Sequence, residues 1–156
     1  MSQPANFEHI SDMLWCGARP DVESAAWLIG QGVKMVINLE WEEGDDDVFG
    51  KALRSITYLN LKDWEPLPLL APSLEDRHIR LVLAAVRSAP GLTYIHCKAG
   101  QNRTRVAVGA CQLFLYNMPI DAVIVDLEAH GGLWESADAN YLRSLDVRRA
   151  EFTAGT

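Results

Sequence analysis

Apolar positions along this chain follow two patterns that alternate. Residues 33–39, 56–61 and 92–96 are short runs, apolar with few interruptions and rich in β-branched side chains. Such runs predict strands buried on both faces of a parallel sheet. Residues 13–16 predict another short strand, which a Gly-Ala-Arg-Pro turn ends. The intervening segments have helical spacing. Asp21 is the expected N-cap of a helix that runs to about Gly32, where glycine stops it. A short helix is expected to end near Arg54. Ser73 is read as the cap of the next helix, with Glu75 and Asp76 in its first turn and Leu74, His78, Leu81, Val82 and Ala85 on its apolar face. From Arg103 to about Asn117 the chain is apolar nearly all round, the pattern of a helix at the centre of a domain. Two more helices, near 120–130 and 137–150, complete the series. Residues 62–72, with three prolines, read as a loop.

Strands alternating with helices predict an α/β fold. The expectation is a single three-layer domain over residues 1–156, with a central, mostly parallel sheet between helices. With 156 residues, 49% of them hydrophobic and 22% charged, the chain has the size and composition of one such soluble domain. Neither an internal repeat nor a low-complexity linker divides it.

Cys16, Cys97 and Cys111 are odd in number and scattered, without a Cys-x-x-Cys pair. This predicts a reducing compartment and neither a disulfide framework nor a zinc site. The first ten residues are polar, unlike a secretory leader, and the apolar run 106–115 is too short to span a bilayer. A cytoplasmic protein with no membrane insertion is expected. A net charge of −7 argues against a nucleic-acid partner. It does not exclude a local anion site.

The informative segment runs from His96 through Cys97, Lys98, Ala99, Gly100, Gln101, Asn102 and Arg103 to Thr104. It joins a buried strand to a buried helix. A loop so placed directs backbone N–H groups at one point near the positive end of the helix, which makes an anion site for phosphate or sulfate. Cys97 at its start would be stabilised as a thiolate nucleophile. Arg103 can offer its planar fork to two phosphate oxygens. Gly100 lets the backbone curl, Thr104 can offer its hydroxyl to the sulfur, and His96 is assigned an orienting role without proton transfer. The phosphate-binding residues are thus Lys98, Ala99, Gly100, Gln101, Asn102 and Arg103. No metal or cofactor is invoked.

The pattern His-Cys-x-x-Gly-x-x-Arg-Thr resembles the signature of the protein tyrosine phosphatase superfamily, most of all its small dual-specificity-type branch. Residues 14–20, 27–33, 36–39 and 139–142 are similar to further family elements, so the likeness extends over about residues 10–147. The resemblance implies phosphomonoester hydrolysis through a cysteinyl-phosphate. It also implies an aspartate acid upstream, for which Asp63 in Lys-Asp-Trp-Glu-Pro is the candidate and Glu65 the nearest rival. Asp76 is disfavoured because it should be committed to a helix. Arg105 departs from the family, which usually has glycine after Arg-Thr, and so changes helix packing or adds charge near the loop.

The expected substrate is a phosphorylated protein or a small phosphorylated molecule. Phosphotyrosine or mixed phosphoprotein comes first and a phosphoinositide or inositol phosphate second. An RNA triphosphatase is disfavoured by the acidic balance. An inactive phosphate-binding module and a rhodanese-like sulfur transferase are the alternatives from other classes. The acidic run Glu40–Asp47 fits no EF-hand spacing and reads as a solvated loop beside the site, one that disfavours polyanionic substrates. Cys16 and Cys111 read as core residues.

Overall fold

The computed structural model describes residues 2–40, 43–61, 72–130 and 136–153. Its five strands are β1 (Glu8–Ser11), β2 (Leu14–Ala18), β3 (Met35–Asn38), β4 (Thr57–Asn60) and β5 (Thr93–Cys97). They form one sheet in the order β1-β2-β5-β3-β4. All pairings are parallel except that of β1 with β2. β5, which ends in Cys97, is central and buried at every position. The sequence does not announce β1, because Glu8–Ser11 is too polar to read as a buried strand.

Helices cover both faces. On one side lie α1 (Val22–Gly30) and α2 (Asp46–Phe49), the latter continued by a 3₁₀ turn over Gly50–Ser55. On the other lie α3 (Asp76–Arg87), α4 (Arg103–Phe114), α5 (Ile120–Ala129), α6 (Ser136–Val147) and α7 (Arg149–Thr153). Asp21 caps α1 as expected: its Oδ1 accepts from Ser24 N at 2.7 Å. α4 is buried at every residue from Thr104 to Phe114. A methyl group at Gly109 would come within 2.9 Å of Leu127 and Leu142, so this glycine sets how closely α4 approaches α5 and α6. The helix ends at Phe114, before the expected Asn117, because Asn117 takes a left-handed conformation (φ 54°) and Pro119 follows. Among the described residues, no helix is long and apolar enough to cross a membrane.

Three expectations about the helical layer change. Ser73 does not cap α3; its N–H and hydroxyl both donate to Asp138, each at 2.6 Å. Glu75 holds the cap position instead, and its N–H donates to His78 Nδ1 at 2.9 Å. Leu81 is exposed, since the buried stripe of α3 runs through His78, Ile79, Val82 and Leu83. The final helix is two helices, broken at Arg148, which reaches across to Asp76 (2.7 and 3.1 Å). Tyr141 also donates to Asp76 at 2.6 Å. The hydrogen bonds from Arg148, ahead of that from Tyr141, hold the Asp76 carboxyl below its usual range. Asp76 is therefore committed to the fold, as its place in a helix predicts.

Burial, with Arg77 nearby, lowers the His78 pKa from 6.5 to about 4. Between these values the unfolded chain binds a proton that the folded chain refuses. Stability from this residue is complete above the window and is lost as pH falls through it. His78→Gln keeps an acceptor at the same position of the cap without titrating. Melting temperatures measured from pH 7 to pH 4 should therefore fall less steeply in the variant than in the parent.

Candidate active site

Side chains alternate across a strand, and this divides the end of β5 between two layers. Ile95 and Cys97 pack with the α3–α7 side. Tyr94 packs on the α1 side, with its ring stacked near that of His96 at 5.8 Å. Cys97 and the His96 ring thus leave β5 in opposite directions. The strand delivers Cys97 to the mouth of the loop 98–102, and α4 begins at Arg103.

The backbone of this loop is held from outside. Lys98 O accepts from Arg19 N at 3.1 Å, Ala99 O from Asn6 Nδ2 at 2.7 Å, and Gly100 O from Arg105 Nε at 3.0 Å. Among the described residues no peptide bond is cis, and in a planar trans peptide the N–H points opposite to the C=O. The N–H groups of Ala99, Gly100 and Gln101 therefore face away from these partners. One destination is explicit: Gly100 N donates to Cys97 Sγ at 3.2 Å. Gly100 has φ +73°, and an added Cβ would lie 2.4 Å from the Gly17 carbonyl carbon, so no other residue fits here. The side chain of Asn102, at the N-cap of α4, makes no capping hydrogen bond, and the positive end of this buried helix lies at the end of the loop that begins with Cys97. Arg103 NH1 donates to Leu39 O at 3.2 Å, which ties the guanidinium to the exit of β3.

The acidic run is a solvated loop only in part: Glu43, Asp46 and Asp47 are exposed. Glu40 and Asp45 are fully buried. Asp45 Oδ2 lies 2.6 Å from His96 Nε2, and Glu40 Oε2 lies 3.7 Å from Nδ1 of the same ring. Arg19 completes the cluster, 3.3 Å from Glu40, 3.4 Å from Asp45, 3.7 Å from Glu43 and 2.8 Å from Asp47. The exits of β2, β3 and β5 share one edge of the parallel sheet, which brings distant residues together there. Asn38 shapes the turn, accepting from Glu40 N and donating to Glu43 O, both at 2.8 Å. Burial works against the Arg19 charge, but Glu40 and Asp45 outweigh it and raise its pKa. Ligand atoms of Glu40, Asp45 and His96 lie within 4.8 Å of one another, as they would around a metal ion. The Arg19 guanidinium already supplies a cation there. In the similar group Glu8, Asp126 and His130, Glu8 pairs with Arg105.

The structure thus brings Cys97, Lys98, Ala99, Gly100, Gln101, Asn102, Arg103 and Thr104 to one loop and helix start, with His96 behind it. The Thr104 hydroxyl is buried and makes no hydrogen bond among the described residues, so the expected bond to Cys97 is not formed in this state. Asp63, its rival Glu65 and the neighbouring Trp64 lie outside the described residues. Cys16 and Cys111 are buried core thiols, and burial pushes the pKa of each up to about 12. Sequence reading passed over Asn6, Arg19, Glu40 and Asp45 as partners of the loop. The shared sheet edge was the available signal for the last three; nothing local marks Asn6.

The chain is similar to several known proteins. A family model described as "DSP-PTPase phosphatase fused to NAD+ Kinase" matches residues 3–120. The inositol diphosphatase DSP5 of Arabidopsis thaliana is 28% identical, over 94% of this chain and 72% of its own length. The crystal structure of P. aeruginosa TpbA superposes with a TM-score of 0.74 at 22% identity, covering 94% of this chain and 91% of TpbA. TpbA is also known in complex with pTyr. The core catalytic domain of the PP-IP phosphatase SIW14 from S. cerevisiae, crystallised with citrate, gives 0.76 at 18% identity, covering 96% of this chain and 93% of that one.

Removing one partner of a buried charge cluster leaves the others uncompensated. Asp45→Ala should therefore cost about 3–5 kcal/mol in urea unfolding. Asp45→Asn, which keeps the shape and one acceptor, should cost less. Equal losses in the two variants would show that the charge on Asp45 contributes nothing.

Proposed function

The chain belongs to the dual-specificity-type branch of the protein tyrosine phosphatase superfamily, and on that premise we propose that it cleaves phosphomonoesters through a cysteinyl-phosphate formed on Cys97. The observation that carries this reading is the Gly100 N–H aimed at Cys97 Sγ, within a loop whose neighbouring carbonyls are bonded outward. Such an array stabilises both a thiolate and the equatorial oxygens of a phosphoryl group in transfer. In the first step Cys97 Sγ attacks phosphorus, the bond to the leaving oxygen breaks, and Asp63 gives that oxygen its proton. In the second step the Asp63 carboxylate takes a proton from water, which attacks phosphorus and releases Cys97 as thiolate. Arg103 holds the phosphoryl oxygens, Thr104 assists the departing sulfur, and His96, fixed by Asp45, orients the loop. A metal ion has no part in either step.

Phosphotyrosine or mixed phosphoprotein is the proposed substrate class, and the proposed setting is cytoplasmic, a reading that three unpaired cysteines support. A second reading, an inositol phosphate or diphosphate, is favoured by the names of two similar proteins. Two features weigh against it. Gln101 and Asn102 add no positive charge to the loop. The rim beside it carries Glu43, Asp46 and Asp47, all exposed.

Hydrolysis of an aryl phosphate at mildly acidic pH should survive EDTA and vanish in Cys97→Ser. Activity unchanged in that variant would remove Cys97 as nucleophile, and an inactive parent would favour a phosphate-binding module. Asp63→Asn should lower kcat for phosphotyrosine by about 10²-fold or more, as expected for loss of a general acid. If Glu65→Gln shows that loss and Asp63→Asn does not, the acid is Glu65. For the rim, the exposed pair is the right target because Asp45 is buried against His96. Replacing Asp46 and Asp47 with asparagine should raise turnover of an inositol polyphosphate about two- to five-fold relative to phosphotyrosine, the scale of exposed charge pairs. No relative change would dismiss the rim as a specificity element.

A further inference from the structure

The proposal that follows rests on reading residues 97–103 as the phosphatase loop. The three outward carbonyls differ in what holds them. Lys98 O takes the backbone N–H of Arg19, a contact that any residue except proline would make. Ala99 O and Gly100 O depend on two particular side chains, Asn6 and Arg105. These holders are joined to each other, because Arg105 NH2 donates to Asn6 O at 3.2 Å. Arg105 NH1 pairs with Glu8, whose other oxygen lies 3.2 Å from His130 Nε2. All three nitrogens of a guanidinium that is 1% exposed are therefore engaged.

Burying a charge this completely is costly, and an apolar side chain of similar length would fill the space without that cost. What an apolar residue cannot do is hold the Gly100 carbonyl. The hazard is a peptide flip. Gly100 permits the tight curve of the loop, and for the same reason it permits rotation of the peptide planes on either side. A flipped plane would withdraw an N–H from the anion and present a carbonyl oxygen to it. Asn6 holds the plane whose N–H meets Cys97 Sγ, and Arg105 holds the next.

We propose that Asn6 and Arg105 are positioning residues of this phosphatase: they brace two consecutive peptide planes of the phosphate loop and keep their N–H groups directed at the bound anion. Neither touches the reacting atoms. Arg105, the departure from the family pattern, is thereby part of the site's support rather than a surface charge.

The test compares the parent with Asn6→Gly, Arg105→Lys and the double variant. Three quantities are measured: kcat/KM for an aryl phosphate, orthovanadate affinity by calorimetry, and melting temperature. Glycine keeps the left-handed backbone at position 6 (φ 54°) and removes only the side chain. Lysine keeps the charge, but one ammonium cannot reach the partners that the fork spans. Asn6→Gly should lower kcat/KM and vanadate affinity together, about tenfold, and Arg105→Lys up to about a hundredfold, the scale of an ångström misplacement in a site. The melting temperature of Asn6→Gly should stay close to the parent's. The double variant should lose less than the product of the single losses, because both residues brace one loop. The proposal is overturned if both single variants keep kcat/KM and vanadate affinity within about twofold of the parent, a change too small for a displaced loop, while only the melting temperature falls. A parent that binds vanadate without turning over substrate would sink the phosphatase reading alone, and the vanadate affinities would still decide the brace. A parent that binds no vanadate overturns both.

Discussion

A planar peptide cannot offer its N–H in one direction without sending its carbonyl in the other. Everything near Cys97 depends on that constraint. A loop that gathers N–H groups around one point must find hydrogen-bond donors for the same number of carbonyls on its outer side. Here the partners come from three places in the chain: the exit of β2, the segment before β1, and the first turn of α4. The two-strand edge formed by β1 and β2 therefore serves the site as well as the sheet. It brings Asn6, Glu8 and Arg19 to the back of a loop some ninety residues away in sequence (|i−j| of 93 for Asn6 and Ala99).

Charge is handled on the same plan. The sheet edge collects Arg19, Glu40, Asp45 and His96 on one side of the loop and Arg105 with Glu8 on the other. Each buried cation has a carboxylate within reach, which is the condition under which buried charge is tolerated. Strand alternation separates the two side chains of the His-Cys pair. The sulfur turns toward the α4 layer, and the imidazole turns toward the acidic cluster of the α1 layer.

Much of this was legible in the sequence, for a physical reason. A strand buried on both faces and a helix buried all round are dense local signals, and residues 92–97 and 103–114 supply both. The chemistry of the loop between them follows from its position. The failures also share a cause. β1 is a polar edge strand that exists through its pairing with β2. Glu40 and Asp45 look like surface acids until the parallel packing of β2, β3 and β5 places Arg19 and His96 beside them. Ser73 has the composition of a cap, but α6 presents Asp138 to it across the fold. In each case the deciding partner lies far along the chain, and local pattern carries no record of it.

Because the loop's shape is fixed through its backbone and from outside, little of it is encoded in the side chains at its rim. Gly100 is the exception, pressed against the backbone of Gly17. Lys98, Ala99, Gln101 and Asn102 carry side chains that none of these backbone contacts uses. Catalytic competence and substrate preference are therefore separable inheritances. A scaffold of this kind can be moved from one phosphate ester to another by changing rim residues while the contacts behind the loop stay as they are.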